Sequence, residues 1–324
     1  VGSVITLTGN ATTAEGSANR VSNALSATAT DNGATAGLNS SQASAAGVTV
    51  NATSSVGYGL ASLLAVVPAT DSSISVDGNS TTALARGNSA SNALNYNATS
   101  YSGPTTLAAI GTTATLDAAL AMRNGQTNSG AIGATSTGAA YTLALNSGAV
   151  AGTLNSSIKL TNNAVATNGF GNVASNSMNV TTAGDNAPSA VVLNAQSNDA
   201  TGTVTTLATG TTFTLALNSD GIGATNSNAM MTNNTVSSNA YGNMAMNNVT
   251  MASFGAGVPS SAVSSVQSNS AAISATATNV TFGMTVGSNS GSAGEALFVL
   301  MNSTLTSVGV SAGSYEDAIK EAAV

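Results

Sequence analysis

The chain has 324 residues, with 5 Lys and Arg against 12 Asp and Glu, a net charge of −7, and no His, Cys or Trp. Charged residues make up 5% of it, against a usual ~25%. So few basic groups exclude a phosphate-binding surface and a polybasic membrane patch, and the missing Cys and His remove disulfides, thiolate metal sites, the commonest zinc ligand and the commonest general base.

A mean hydropathy of +0.21 separates the chain from ordinary disorder, which combines low hydrophobicity with high charge. The 34 Gly show no three-residue period and there are 4 Pro, so it is not collagen. An uncharged chain with 37 Asn that must still fold is expected to be a β-rich extracellular protein.

From the start, Val1 rather than Met stands first, the expectation being a mature product whose leader has been removed. Val1 to Thr8 alternates apolar and polar residues without a charge and reads as a strand. The longest apolar run, Leu60 to Val67, falls short of the ~20 residues of a membrane helix and reads as a buried strand pair. At the other end, Tyr315 to Val324 holds four charges, Ser314 and Asp317 resemble a capping box, and Tyr315 and Ile319 share a helical face. The expected division is a repetitive β domain over 1–313 and a short helix or tail over 314–324.

Between the ends lie internal repeats. Ala18 to Leu25, Gly87 to Leu94, Gly171 to Met178 and Gly242 to Val249 align without gaps. Taking Asn23, Asn92, Asn176 and Asn247 as anchors, the spacings are 69, 84 and 71 residues. Gln42, Gln126, Gln196 and Gln267 are the only glutamines and keep the same order, and a third marker is an apolar strand ending in Asn, at Tyr141 to Asn146, Phe213 to Asn218 and Phe298 to Asn302. The longer second interval implies an insertion between Thr105 and Ala119. Around each anchor, Leu25/Leu94/Met178/Val249, Ala27/Tyr96/Val180/Met251 and Val21/Ala90/Ala174/Ala245 recur at even offsets, the period of a half-buried strand.

The anchors share that parity, as do Asn19, Asn88, Asn172 and Asn243 four residues earlier. In an unbroken strand they point inward, where an amide costs several kcal/mol unless satisfied. Stacked identical amides satisfy one another at ~4.8 Å; alternatively, a corner places these Asn in the left-handed region, which Asn tolerates. Either account suits a solenoid.

The pattern Gly-Asn-x-Ala-x-Asn resembles the core of curlin repeats, and the long Asn/Thr/Ala-rich units around it are similar to holdfast-anchor surface proteins of stalked bacteria. The resemblance implies a secreted β-solenoid or amyloid-like fibre component attached to the cell envelope.

Catalytic chemistry is scarce. A Ser-His-Asp triad is impossible, and Lys159 and Lys320 are the only lysines for a Ser-Lys pair. The twelve acids are scattered, and no Gly-Gly-x-Gly-x-Asp calcium repeat occurs. The cluster Met230, Met231, Met244, Met246 and Met251 reads as core filler before it reads as a soft-metal site. No catalytic residue, cofactor or metal is expected.

The expected fold is all-β: a repetitive β-solenoid of four ~70-residue repeats with a short C-terminal helix. Rungs of roughly 20–25 residues would put three rungs in each unit and give a rod on the order of 70 Å; four small β-sandwiches are the alternative. The expected role is a structural subunit of an extracellular filament, cell-surface anchor or sheath that assembles by head-to-tail β-strand addition, not an enzyme; a carbohydrate-binding surface adhesin module is the alternative. The expected partners are copies of itself and a cell-envelope anchor or polysaccharide, with no nucleic acid and no membrane span. Val4, Ile5 and Leu7 are the expected assembly strand, with Tyr315 and Ile319 guarding or docking the other end.

Overall fold

The computed structural model describes residues 2–31, 33, 35–53, 57–64, 69–102, 118–147, 153–184, 186, 188–217, 224–225, 227–255, 260–286, 296–301 and 304–310. Every element among them is a strand. The first coil holds β1 (Val4–Thr8), β2 (Ala11–Asp31), β3 (Ala36–Ser44), β4 (Val48–Thr53), β5 (Gly57–Leu64) and β6 (Ala69–Thr70). The second holds β7 (Ser73–Asp77), β8 (Ser80–Ser100), β9 (Leu120–Asn128), β10 (Ile132–Thr137), β11 (Ala140–Ser147) and β12 (Thr153–Leu154). In the third are β13 (Ser157–Thr161), β14 (Ala164–Thr182), β15 (Ala190–Asn198), β16 (Val204–Thr209), β17 (Thr212–Leu217) and β18 (Ala224–Thr225). The fourth has β19 (Ser227–Thr232), β20 (Thr235–Ser253), β21 (Ser261–Asn269), β22 (Ile273–Thr278) and β23 (Thr281–Val286); β24 (Ala296–Met301) and β25 (Thr304–Val310) begin a fifth.

Each strand pairs, parallel and in register, with its equivalent in the next coil, giving six sheets that run along the stack. Val4 lies beside Ser73, Asn23 beside Asn92, and Asn92 beside Asn176. The chain is therefore a β-solenoid of four repeats. The rung length, however, corrects the expectation from sequence: one ~70-residue unit is one coil, not three. Four coils at ~4.8 Å rise about 20 Å, not about 70 Å. The reason is a long wall. β8 runs 21 residues without interruption, so the coil is broad, and shorter strands are needed to return along the opposite side. The separate-sandwich alternative falls with the parallel coil-to-coil pairing.

The inserted residues of the second unit map to one connection. Ser100 at the end of β8 still pairs with Asp31, and Leu120 at the start of β9 pairs with Ala36. The extra length therefore lies between 101 and 119. Of the Leu60 to Val67 run, Leu60 to Leu64 belong to β5, a single strand; Ala65 to Val67 lie outside the described residues.

Three apolar columns fill the interior. One, between the β7, β11 and β14 walls, includes Val76, Tyr141, Leu143, Leu160, Phe213 and Met231. A second, where the far end of the long wall faces β9 and β15, includes Leu94, Tyr96, Met122, Met178 and Val192. Between them Ala83, Ala85, Ile132 and Val204 form a narrow third. The corners are set by chemistry that the coils share. After β1, β7, β13 and β19 come Gly9, Gly78, Asn162 and Asn233, all with φ between 55° and 66°. Only Gly, and less often Asn, enters that region cheaply.

The Gly of Gly-Asn-x-Ala-x-Asn has a different task. At Gly171 an added Cβ would lie 2.5 Å from the Gly242 carbonyl oxygen and 2.7 Å from Asn198 Oδ1. The glycine is there because the next coil passes too close for a side chain. Gly171→Ala should cost about 1–3 kcal/mol by overpacking. Gly57→Ala, with nothing within 4 Å of the new Cβ, is the matched control. Thermal melts of the two variants check this; equal melting would remove the close-approach explanation.

Candidate functional site

Between the apolar columns the interior turns polar. The two Asn series stand here as continuous ladders, with Asn92 and Asn176 each 1% exposed. Asn19 Nδ2 donates to Asn88 Oδ1 at 2.8 Å, Asn88 to Asn172 at 2.8 Å, and Asn172 to Asn243 at 2.7 Å. Asn23 donates to Asn92 at 2.9 Å, Asn92 to Asn176 at 2.8 Å, and Asn176 to Asn247 at 2.7 Å. The left-handed residues are elsewhere in the chain, so the inward ladder, not the corner, accounts for these Asn.

In the Asn19 series the second hydrogen of each Nδ2 crosses the interior. Asn172 Nδ2 also donates to the Ser197 carbonyl at 2.8 Å, and Asn88 Nδ2 to that of Thr127 at 2.8 Å. Along the opposite wall the glutamines form a column of the reverse sense. Gln126 Nε2 donates back to Gln42 Oε1, Gln196 back to Gln126, and Gln267 back to Gln196, each at 2.7 Å. Gln196 Nε2 also crosses to the Met244 carbonyl at 3.0 Å. A primary amide has two donors and an oxygen acceptor. Bonds along the stack and across it satisfy both, which is how the core holds so many buried amides.

Two further columns run along the stack. The Asn corner ladder was not singled out from the sequence; of the aromatic column the sequence marked Tyr141 and Phe213, but the next member after Phe213 is Phe282, not Phe298, which lies beside Ala229 one sheet away. Asn10, Asn79, Asn163 and Asn234 form a corner ladder, in which the oxygen of each later residue accepts both the side-chain and the backbone N–H of the one before. Tyr58, Tyr141, Phe213 and Phe282 stack with centroids 5.2, 5.0 and 5.0 Å apart. The Tyr141 hydroxyl donates to the Ala164 carbonyl at 2.8 Å, and its pKa is raised by burial. Burial, with Tyr101 and Asp31 nearby, pushes the Tyr96 hydroxyl up to about 12. The Asn10 ladder keeps the 69, 84 and 71-residue spacing already visible at Asn23, Asn92, Asn176 and Asn247, and that spacing was the signal that could have found it.

The methionines do not gather into one site: Met231 is fully buried, whereas Met246 is 60% exposed. Among the described residues, no three His, Cys, Asp or Glu side chains stand close enough to hold a metal ion. Nor, among those residues, is any helix long and apolar enough to cross a membrane.

Val4, Ile5 and Leu7 lie on β1, at the outer edge of its sheet. Ile5 and Leu7 align with the buried Ile74 and Val76 and face inward; Val4 faces out and is 75% exposed. β1 is not alone. β2, β3, β4, β5 and β6 are also edge strands of their sheets, so the open edge is the whole first coil. Tyr315, Ile319 and the rest of 314–324 lie outside the described residues. Comparison with protein-family models, curated proteins and solved structures finds no match to this chain.

Proposed function

We propose that the chain is a structural subunit of an extracellular filament, surface anchor or sheath, with a mechanical role and with copies of itself as its main partner. The observation that carries this reading is the first coil, which, among the described residues, leaves all six sheets with an unpaired edge. Such edges are templates for further strands, and proteins that stay monomeric blunt them with Lys, Pro or a covering element. Here the charged side chains on β1 and β2 are Glu15, Arg20 and Asp31, and β3, β4, β5 and β6 have none. The Gly-Asn-x-Ala-x-Asn pattern and its likeness to secreted fibre repeats support the same reading and the extracellular location. A carbohydrate platform would present aromatic faces to solvent. The Tyr58 to Phe282 stack is internal, and the half-buried Phe170 and Tyr241 turn their faces on each other, 5.1 Å apart.

Negative-stain microscopy and fibre diffraction of the purified chain at neutral pH test the proposal. Filaments with a meridional repeat near ~4.8 Å are expected. Monodisperse particles at high concentration would overturn it. Because β1 is one edge strand of six, deleting residues 1–8 should weaken assembly rather than abolish it.

A further inference from the structure

We propose that the amide columns dictate the direction of assembly: a second copy docks its first coil on the last full coil of the one before, and in no other pairing of faces. This rests on the filament reading above and adds the partner surface and the atoms.

Every amide column has a sense. In the three Asn ladders that begin on the first coil, that coil gives its Nδ2 to the second; the Asn128, Asn198 and Asn269 ladder, which begins on the second coil, runs the same way. The oxygens of Asn10, Asn19 and Asn23 therefore point away from the stack, as acceptors with no donor among the described residues. At the other end, Asn247 Oδ1 receives Asn176 Nδ2 at 2.7 Å, so the Asn247 Nδ2 points outward as a donor. The Gln column runs the other way: Gln42 Oε1 receives Gln126 and Gln267 Nε2 gives to Gln196. Gln42 thus offers a donor on the first face and Gln267 an acceptor on the last. Asn247 of one copy matches Asn23 of the next, Asn243 matches Asn19, and Gln42 matches Gln267. Two first faces brought together would set Asn oxygen against Asn oxygen. Two last faces would set N–H against N–H. Like faces can meet Asn to Gln only by turning the strands antiparallel; the first-on-last pairing alone joins Asn to Asn and Gln to Gln with the strands parallel and in register, and it repeats without closing.

The apolar columns are cut at the same two faces. Val192 is fully buried, while its register partner Val263, one coil further on, is 50% exposed. On the first coil, the half-buried Leu25 aligns with Leu94, which is 1% exposed. A hollow of about 660 Å³ lined by Asn19, Asn23, Ser40 and Gln42 opens on that first face. What would fill it is another coil of the same chemistry. β24 and β25 cover β19 and the first part of β20, the places that β1 and the start of β2 of an incoming copy would take. Docking therefore requires those two segments to exchange, while Asn243, Asn247 and Gln267 stand beyond the part they cover.

Asn247→Asp in the full chain is the test. The new carboxylate still accepts from Asn176, so the coil keeps its internal bond, but the outward donor becomes an anionic acceptor facing Asn23. At pH 7 the concentration at which filaments appear should rise at least tenfold over the parent chain. Near pH 3.5 the carboxyl is protonated and can donate again, so the difference should disappear. Met246→Asp adds the same charge one residue away on the outer face and should shift the onset less than threefold. Gln42→Glu, on the opposite face, still accepts from Gln126 and should block assembly as Asn247→Asp does. If Asn247→Asp and Gln42→Glu assemble like the parent, or Met246→Asp is blocked as strongly, the inference is overturned while the filament reading stands. A parent chain that forms no filament overturns both.

Discussion

Asn176→Asp should lower the stability of the chain by about 3 kcal/mol or more at neutral pH. Asn176 is 1% exposed and sits inside its ladder. Its oxygen accepts from Asn92 at 2.8 Å, and its Nδ2 gives to Asn247 at 2.7 Å and approaches Asn194 Oδ1 at 3.4 Å. An aspartate keeps the first bond and turns an anionic oxygen on the other two acceptors, in a site closed to water. Burial among acceptors favours the neutral carboxyl in the folded chain, so its folded pKa lies above the ordinary ~3.9. The variant is then closest to the parent below about pH 4 and loses stability as the pH rises through the folded pKa. Denaturant titrations followed by circular dichroism at pH 3.5 and pH 7 read this directly. Equal midpoints for variant and parent at pH 7 would mean that the ladder does not hold the coil. Asn247→Asp, at the end of the same ladder, should cost far less.

Phe213→Ala should cost about 3–5 kcal/mol. Phe213 is fully buried, with Tyr141 on one face and Phe282 on the other, each 5.0 Å away. Truncation removes two stacking contacts at once and leaves a void that coils held in register on both sides cannot close. Phe282, half-buried at the end of the stack, loses one such contact, so Phe282→Ala should cost markedly less. Thermal unfolding of both variants separates them; equal losses would contradict a continuous aromatic column.

Much of this was legible in the sequence, in a particular form. The parity of Leu94, Tyr96 and Asn92 says which side chains face inward, and the shared spacing of the Asn and Gln anchors says which residues are equivalent. The insertion showed because Gln126 comes late after Asn92. The size of the coil was harder to read. Alternation reports which way a side chain points, not how many strands pass before the chain returns beneath itself. Yet the ladder requirement contained the answer. Identical amides can stack only if consecutive coils place them in line, and no Asn anchor recurs at 20–25 residues. A coil of that size would have set Asn92 against unlike neighbours.

The Asn10 corner ladder escaped for another reason. Asn79 and Asn163 stand beside the turn residues Gly78 and Asn162, and in sequence such Asn-Gly punctuation reads as loop. The polarity of the columns was not legible at all. Whether Asn176 gives forward or back depends on a side-chain rotation that spacing does not encode.

The claim on which the account depends is that one repeat makes one coil. Ser175 and Met246 settle it, because they are register partners on adjacent coils and both face solvent. The chain has no cysteine, so Ser175→Cys with Met246→Cys creates a single thiol pair. In-register neighbours ~4.8 Å apart are within disulfide reach. Mild oxidation at low protein concentration should join them within one chain, seen as a faster band on a non-reducing gel and as loss of free thiol. Ser91 lies a further coil away from Met246, beside Ser175, and Ser91→Cys with Met246→Cys should stay reduced. If each repeat held three rungs, residues 175 and 246 would stand about 14 Å apart. Thiols that remained free in the first pair would then contradict the one-coil repeat.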